Sequence, residues 1–219
     1  MGVLLMAMTI GGLLVAAILF AISVYTNTVW LRNFVFGGVA VWFAFYFVML
    51  FGFSVASYEK NLALNEPKEF CGFYLDCHMH TAVTNVRRTT TIGNKTANGE
   101  FYIVKVKVFS DAKAATLGLA TVDAHVVDHA GHRYDRDTAA EANLPSQPDF
   151  EKPISPVENF EKEIVFDVPI DIRNPRLDVR EGYGIDHVIE AVLIDDEDSV
   201  LHKRSYFSLT ESAQTAAVK

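Results

Sequence analysis

Charge is almost missing from the first 58 residues, where Arg32 is the one charged side chain. An ion or substrate path through a membrane is normally marked by intramembrane charge, so this absence argues against a transporter. Enzyme signatures are missing as well. There is no Gly-x-Ser-x-Gly, no phosphate-cradling glycine loop and no His-Glu-x-x-His, and a non-catalytic role is expected. A basic excess is lacking: 19 Lys and Arg stand against 27 Asp and Glu, for a net charge of −8. That balance excludes the basic footprint of a nucleic-acid binder and disfavours docking on anionic lipid heads. Cysteine is scarce, with two in the chain, and neither lies in a lipobox.

What fills the charge-poor region is apolar. Val3 to Ser23 and Phe34 to Ala56 each exceed the roughly 20 residues a helix needs to cross about 30 Å of hydrocarbon. Between them runs a short polar break, Tyr25 to Asn33. Hydrocarbon cannot satisfy open backbone groups, so a transmembrane helical hairpin over residues 1–58 is expected. The first run lacks the basic start of a cleaved leader and is too long for one, so it is expected to be a retained helix. With Arg32 in the short loop, the positive-inside rule places the turn in the cytoplasm and both termini outside. Packing is expected through small residues at helical spacing, Gly12 with Ala16 on the first helix and Ala40 with Ala44 on the second. The second helix is rich in mid-span aromatics, notably Trp42, Phe43 and Phe47. They suit packing within the hairpin, against protein, or against pigment or lipid.

Residues 59–69 form a polar connector with Pro67. Beyond it the hydrophobic period becomes two. Tyr102, Val104, Val106 and Val108 share one face, opposite Lys105 and Lys107; Ile164, Phe166 and Val168 repeat the pattern. Strands are also expected over Phe70 to Leu75, His78 to Thr91, Val122 to Asp128, and His132 to Asp135. His187 to Ile194 and Val200 to Phe207 would flank a hairpin turn, Asp195 to Ser199. Further turns are expected at Ala97-Asn98-Gly99 and His129-Ala130-Gly131. Many short strands with polar turns predict an all-β antiparallel sandwich over residues 70–210, followed by a flexible tail, 211–219. Pro145, Pro148, Pro153 and Pro156, four of the seven prolines, interrupt it between Glu141 and Asn159. A long proline-rich loop of this kind is either a docking arm or a mobile loop.

The run Gly99 to Val108, then Ser110-Asp111-Ala112, then Val126-Val127-Asp128 with Gly131 and Tyr134, resembles the telokin-like immunoglobulin-type domains of bacterial lipoproteins and membrane-anchored proteins. Val165 to Pro169 and Asn174 to Leu177 fit that family's last strands. The resemblance spans about Cys71 to Leu209 and implies an extracytoplasmic, immunoglobulin-like sandwich that contacts other proteins, without shared catalytic residues. A hairpin before an external β-domain is also the architecture of cytochrome oxidase subunit two. Its dicopper site needs a Cys-x3-Cys pair, whereas five residues separate Cys71 and Cys77 here, so that centre is excluded.

Cys71 to His80 is the stretch richest in chemistry. A disulfide between Cys71 and Cys77 fits an oxidising compartment and requires a bend between them. Alternatively Cys71, Cys77, His78, Met79 and His80 offer soft ligands for copper or zinc, or the thiols are free and inert. His125, His129 and His132 lie near one another across a turn without helical ligand geometry, and are expected to be solvated. Asp195-Asp196-Glu197-Asp198 has calcium-ligand composition but not a calcium loop's spacing, and a solvated turn is expected. Asn94-Lys95-Thr96 is a glycosylation sequon, a match too short to weigh. The expected function is a non-catalytic accessory subunit of a bacterial inner-membrane complex with a periplasmic sandwich, its partners being other membrane subunits and the bilayer. A respiratory or photosynthetic electron-transfer assembly is one such setting. No cofactor is required by this expectation. The alternatives are copper binding or delivery through the Cys71–His80 stretch, and an envelope sensor or ligand-binding module.

Overall fold

A computed structural model describes residues 2–72 and 76–210. The expected strand over Phe70 to Leu75 therefore lies partly, and the expected tail wholly, outside the described residues. The chain divides into two compact units, Met1–Tyr58 with Gly184–Arg204, and Glu59–Tyr183 with the chain from Ser205 on.

In the first unit, α1 (Gly2–Tyr25) and α2 (Val29–Ala56) are antiparallel neighbours, both long and apolar enough to cross a membrane. The turn between them is tight because Asn27 adopts φ 51°, a left-handed conformation that Asn tolerates better than most residues. Ser23 and Thr28 close it through a backbone bond of 2.8 Å. The helices meet through Trp42, whose indole N–H donates to Thr9 Oγ1 at 3.0 Å, and through an edge-to-face contact of Phe20 and Phe36. The small-residue expectation is corrected here. Ala40 and Ala44 are exposed, and a Cβ on Gly12 or Gly38 would meet nothing within 4 Å. The helices do not close on their small residues. Gly12, Ala16 and Gly38 instead line an apolar groove of about 400 Å³ that ends at Trp42. Phe43, Phe47 and Phe51 form a row of ring contacts along α2 itself.

The second unit is a two-sheet β-sandwich. Its elements are β1 (Lys60–Leu62), β2 (Lys68–Gly72), β3 (Asp76–Ile92), β4 (Lys95–Ser110), β5 (Val122–Val127), β6 (Arg133–Asp135), the short helix α3 (Thr138–Glu141), β7 (Asn159–Val168) and β8 (Arg176–Glu181). The chain then passes through α4 (Gly184–Glu190), which belongs to the first unit, and returns as β9 (Ser205–Ser208). One sheet runs β1-β9-β8-β5-β6 and the other β2-β3-β4-β7. Pairing is antiparallel except between β1 and β9. The expected connector thus supplies β1 and the start of β2, one to each sheet, in strands too short to show a period.

Period-two alternation builds the core. Val104, Val106 and Val108 of β4, Ile164 and Phe166 of β7, Val126 of β5, Leu177 and Val179 of β8 and Phe207 of β9 interdigitate between the sheets. The opposite face of the β4–β7 pair is not left wet. Phe101, Ile103 and Val165 are covered by Ala140 of α3 and by Leu144, which is why both faces of these strands are apolar there.

Three expectations fail for definite reasons. Ala97-Asn98-Gly99 is strand, not turn: the β3–β4 hairpin turns at Gly93-Asn94, where Gly93 has φ +59°. Gly99 is needed for a different purpose, since a Cβ there would lie 2.1 Å from the Val168 carbonyl oxygen. His187 to Ile194 is not a strand; it forms the rest of α4 and a following turn, and of the stretch from Val200 to Phe207 only Ser205–Phe207 is paired. The proline-rich segment does not stand free of the sandwich. Phe150 and Ile154 are buried in the core, and Ile154 pairs with Leu117 in both directions, at 3.0 and 2.7 Å.

Candidate functional site

Three places gather polar chemistry. The first is the corner where β2 meets β3. The sulfurs of Cys71 and Cys77 are bonded to each other, closing the end of the hairpin. Alternation along β3 then turns Met79 into the core, 4% exposed, and leaves His78 and His80 on the other face. Both imidazoles approach one carboxylate: His78 Nδ1 lies 2.6 Å and His80 Nε2 3.6 Å from Asp111 Oδ1. His80 also stacks on Phe109 with centroids 5.1 Å apart. The hydrogen bond from His78 holds the Asp111 carboxyl below its usual range, against a smaller opposing effect of burial. This corner cannot be the five-ligand copper site weighed from sequence. Its thiolates are consumed by the disulfide and its thioether is in the core, which leaves two histidines and an aspartate.

The second is a polar depression of about 540 Å³ at one end of the sandwich, lined by residues that include Glu59, Asn61, His129, Asn174 and Arg176. Arg176 is paired with Glu59 and lies over the Tyr206 ring at 4.5 Å. No sequence motif announced this place, because its walls come from β1, β8, β9 and two separate turns.

The three clustered histidines do not converge. His125 is buried, with Nε2 3.3 Å from Asp178 and Nδ1 3.0 Å from the Arg133 guanidinium. Arg133 can only donate, so Nδ1 accepts and Nε2–H is directed to Asp178. Burial raises the Asp178 carboxyl, but the His125 hydrogen bond and the charges of Arg180 and Lys68 outweigh it and the net shift is downward. His132 bonds Asp128 at 2.8 Å across the β5–β6 turn. His129 is exposed.

The third place belongs to the helical unit. His187 and Glu190 lie on one face of α4, with Nδ1 and Oε2 3.0 Å apart. The acidic turn brings Asp198 beside them: single ligand atoms of His187, Glu190 and Asp198 all lie within 4.8 Å of one another. Asp198 is steadied by Arg204 at 2.6 Å. Burial, with the charges of Asp196 and Asp198, pushes the Glu190 carboxyl above its usual range, although the His187 bond opposes the shift. The expectation of a solvated turn is corrected, since Asp196 and Asp198 are half-buried.

Residues 76–188, β3 to within α4, match a family model described as a domain of unknown function (DUF4352). The chain belongs to that family. The match takes in most of the DUF4352 sandwich and neither long helix. No curated protein matches the chain. Solved structures that align with it include MPT63, a secreted protein from Mycobacterium tuberculosis, at 12% identity over 69% of this chain and 97% of that one, TM-score 0.42. A conserved hypothetical protein from Bacillus anthracis aligns at 17% identity over 56% and 94%, TM-score 0.40. An uncharacterized β-sandwich protein from Clostridium difficile aligns at 9% identity over 70% and 97%, TM-score 0.36.

Proposed function

We propose that this DUF4352 chain is a non-catalytic, membrane-anchored module of a bacterial envelope. In this proposal α1 and α2 cross the inner membrane with Arg32 on the cytoplasmic side. The sandwich, of the telokin-like immunoglobulin type, stands on the outer face and contacts other subunits of a membrane assembly.

The observation that carries the proposal is the surface of the hairpin. Its sides expose large apolar residues such as Leu14, Ile18, Phe36 and Val41, while polar side chains within the helices find partners inside the hairpin. Thr9 donates to Leu5 O, Ser23 to Phe20 O, and Trp42 to Thr9. That is the arrangement hydrocarbon demands and water does not. Tyr25 and Trp30, both strongly exposed, flank the turn as interfacial aromatics do.

The segment Gly184–Arg204 fits the same picture. Tyr46 Oη donates to Val192 O at 2.7 Å, Ser54 and Ser199 share a bond of 3.2 Å, and Lys203 N–H donates to Ser57 Oγ at 2.8 Å. Val29 to Tyr46 covers about 26 Å at 1.5 Å per residue, close to the hydrocarbon thickness. The last turns of α2 then rise above the lipid, sheathed by this segment. The disulfide supports an oxidising compartment for the sandwich.

The test is co-purification. Native membranes solubilised in mild detergent should yield the chain with other membrane subunits at fixed stoichiometry. Recovery of a monodisperse lone protein across several mild detergents would defeat the assembly proposal, and recovery from the soluble fraction would defeat the anchor.

A further inference from the structure

We propose that His187, Glu190 and Asp198 form a binding site for a divalent transition-metal ion of the Zn²⁺ type, which clips α4 to the acidic turn. The proposal is independent of the membrane assembly suggested above.

Geometry carries it. Bonds of about 2.0–2.2 Å set the ligand atoms of a tetrahedral ion roughly 3.4 Å apart. The three candidate atoms already lie within 4.8 Å of one another, and the His187–Glu190 pair is at 3.0 Å. Small side-chain rotations bring all three to bonding distance. The scaffold under them is tied down. His187 and Glu190 are one helical turn apart, and Leu193 N–H returns to Glu190 O at 2.9 Å. Val200 N–H bonds Ala191 O at 3.0 Å, which folds the acidic turn back on the end of α4. Asp198 N–H bonds Asp196 Oδ1 at 2.9 Å, and the Tyr46 and Ser54 bonds hold the segment on α2.

The donor set chooses the ion. One imidazole nitrogen and two carboxylate oxygens suit Zn²⁺ and its first-row neighbours and leave a position for water. Ca²⁺ and Mg²⁺ favour all-oxygen surroundings. The side chains of His187, Glu190 and Asp198 are 39%, 16% and 18% exposed, sheltered enough to strengthen the attraction and open enough for entry. Elsewhere in the same turn, His202 Nδ1 is buried without a hydrogen-bond partner among the described residues, a further polar atom close to this acidic segment in sequence.

The experiment uses the full chain in detergent, purified through a tag free of histidine and stripped with EDTA, then titrated with ZnCl₂ by calorimetry. Saturable binding of one ion per chain is expected, with a raised Tm and no comparable response to Mg²⁺. His187→Ala and Asp198→Asn should each weaken binding at least about tenfold, with circular dichroism confirming the fold. His129→Ala, at an exposed position on the sandwich, should leave it unchanged. Absence of saturable binding by the wild-type chain overturns the proposal, and so does unchanged affinity in either ligand variant.

Discussion

Asp128 shows how much one side chain organises in the sandwich. It follows β5 directly and spans the turn to β6, where Oδ1 accepts from the amides of Ala130 and His132, at 2.8 and 2.9 Å, and Oδ2 accepts from the His132 ring. Gly131 completes the turn with φ +85°, a conformation other residues adopt at a cost. Burial works against the ionised carboxylate, but the His132 ring and the two amides outweigh it and bring the pKa down to about 2. The sign of the pH effect follows. A carboxyl whose folded pKa is depressed contributes stability above its unfolded value near 3.9, and loses that contribution as pH falls toward the folded value. Asp128→Asn should therefore lower the Tm at pH 6, with the gap to wild type narrowing between about pH 4 and pH 2. Melts across that range check it; a gap of constant size would mean the carboxylate charge is not what matters.

At the scale of the element, the proline-rich segment protects the edge of a sheet. β7 is the last strand of its sheet, and its outward backbone groups would otherwise invite pairing with another chain. Gln147 takes both groups of Glu163, donating to its carbonyl at 2.6 Å and accepting from its amide at 2.8 Å. Glu141 accepts from Val165 N–H, and Asp137 N–H donates to Val165 O at 2.8 Å. Phe150, fully buried, anchors the segment between these bonds. Phe150→Ala should destabilise the protein by about 3–5 kcal/mol, as deletion of a buried ring does. Gln147→Ala should cost only about 1 kcal/mol but raise self-association, measurable by light scattering. If Gln147→Ala stays monodisperse while Phe150→Ala unfolds early, the segment is core and not edge protection. These contacts also explain what could be read from sequence. The alternation of β4 and β7 is local and was legible, as were the two long apolar helices. Gln147 against Glu163, or Asp198 against His187, depends on tertiary neighbours that no local period encodes. The same limit explains α4: Leu193 and Ile194 are buried within a segment whose alternation mimics a strand, and the fold, not the pattern, decided its conformation.

For the whole molecule, the asymmetry of charge makes the firmest statement about placement. The chain carries −8 overall, yet one charge, Arg32, precedes Glu59. An acidic sandwich is not held back by the positive-inside rule, whose weight falls on Lys and Arg in short loops, and here that means the turn bearing Arg32. On the proposed topology both ends of the hairpin face outward, and the disulfide corner with them. A thiol introduced at exposed Lys113 on the sandwich, as Lys113→Cys, should react with a membrane-impermeant maleimide in intact spheroplasts as fully as after lysis. A thiol at Asn27, in the turn, should react only after lysis. The reverse pattern would put the sandwich in the cytoplasm, leave the Cys71–Cys77 bond in a reducing compartment, and show that one arginine does not orient this hairpin. Moving Arg32 settles the cause: Arg32→Gln with two lysines added before Gly2 should invert part of the population if that charge sets the topology, and leave it unchanged if the bulk of the sandwich does.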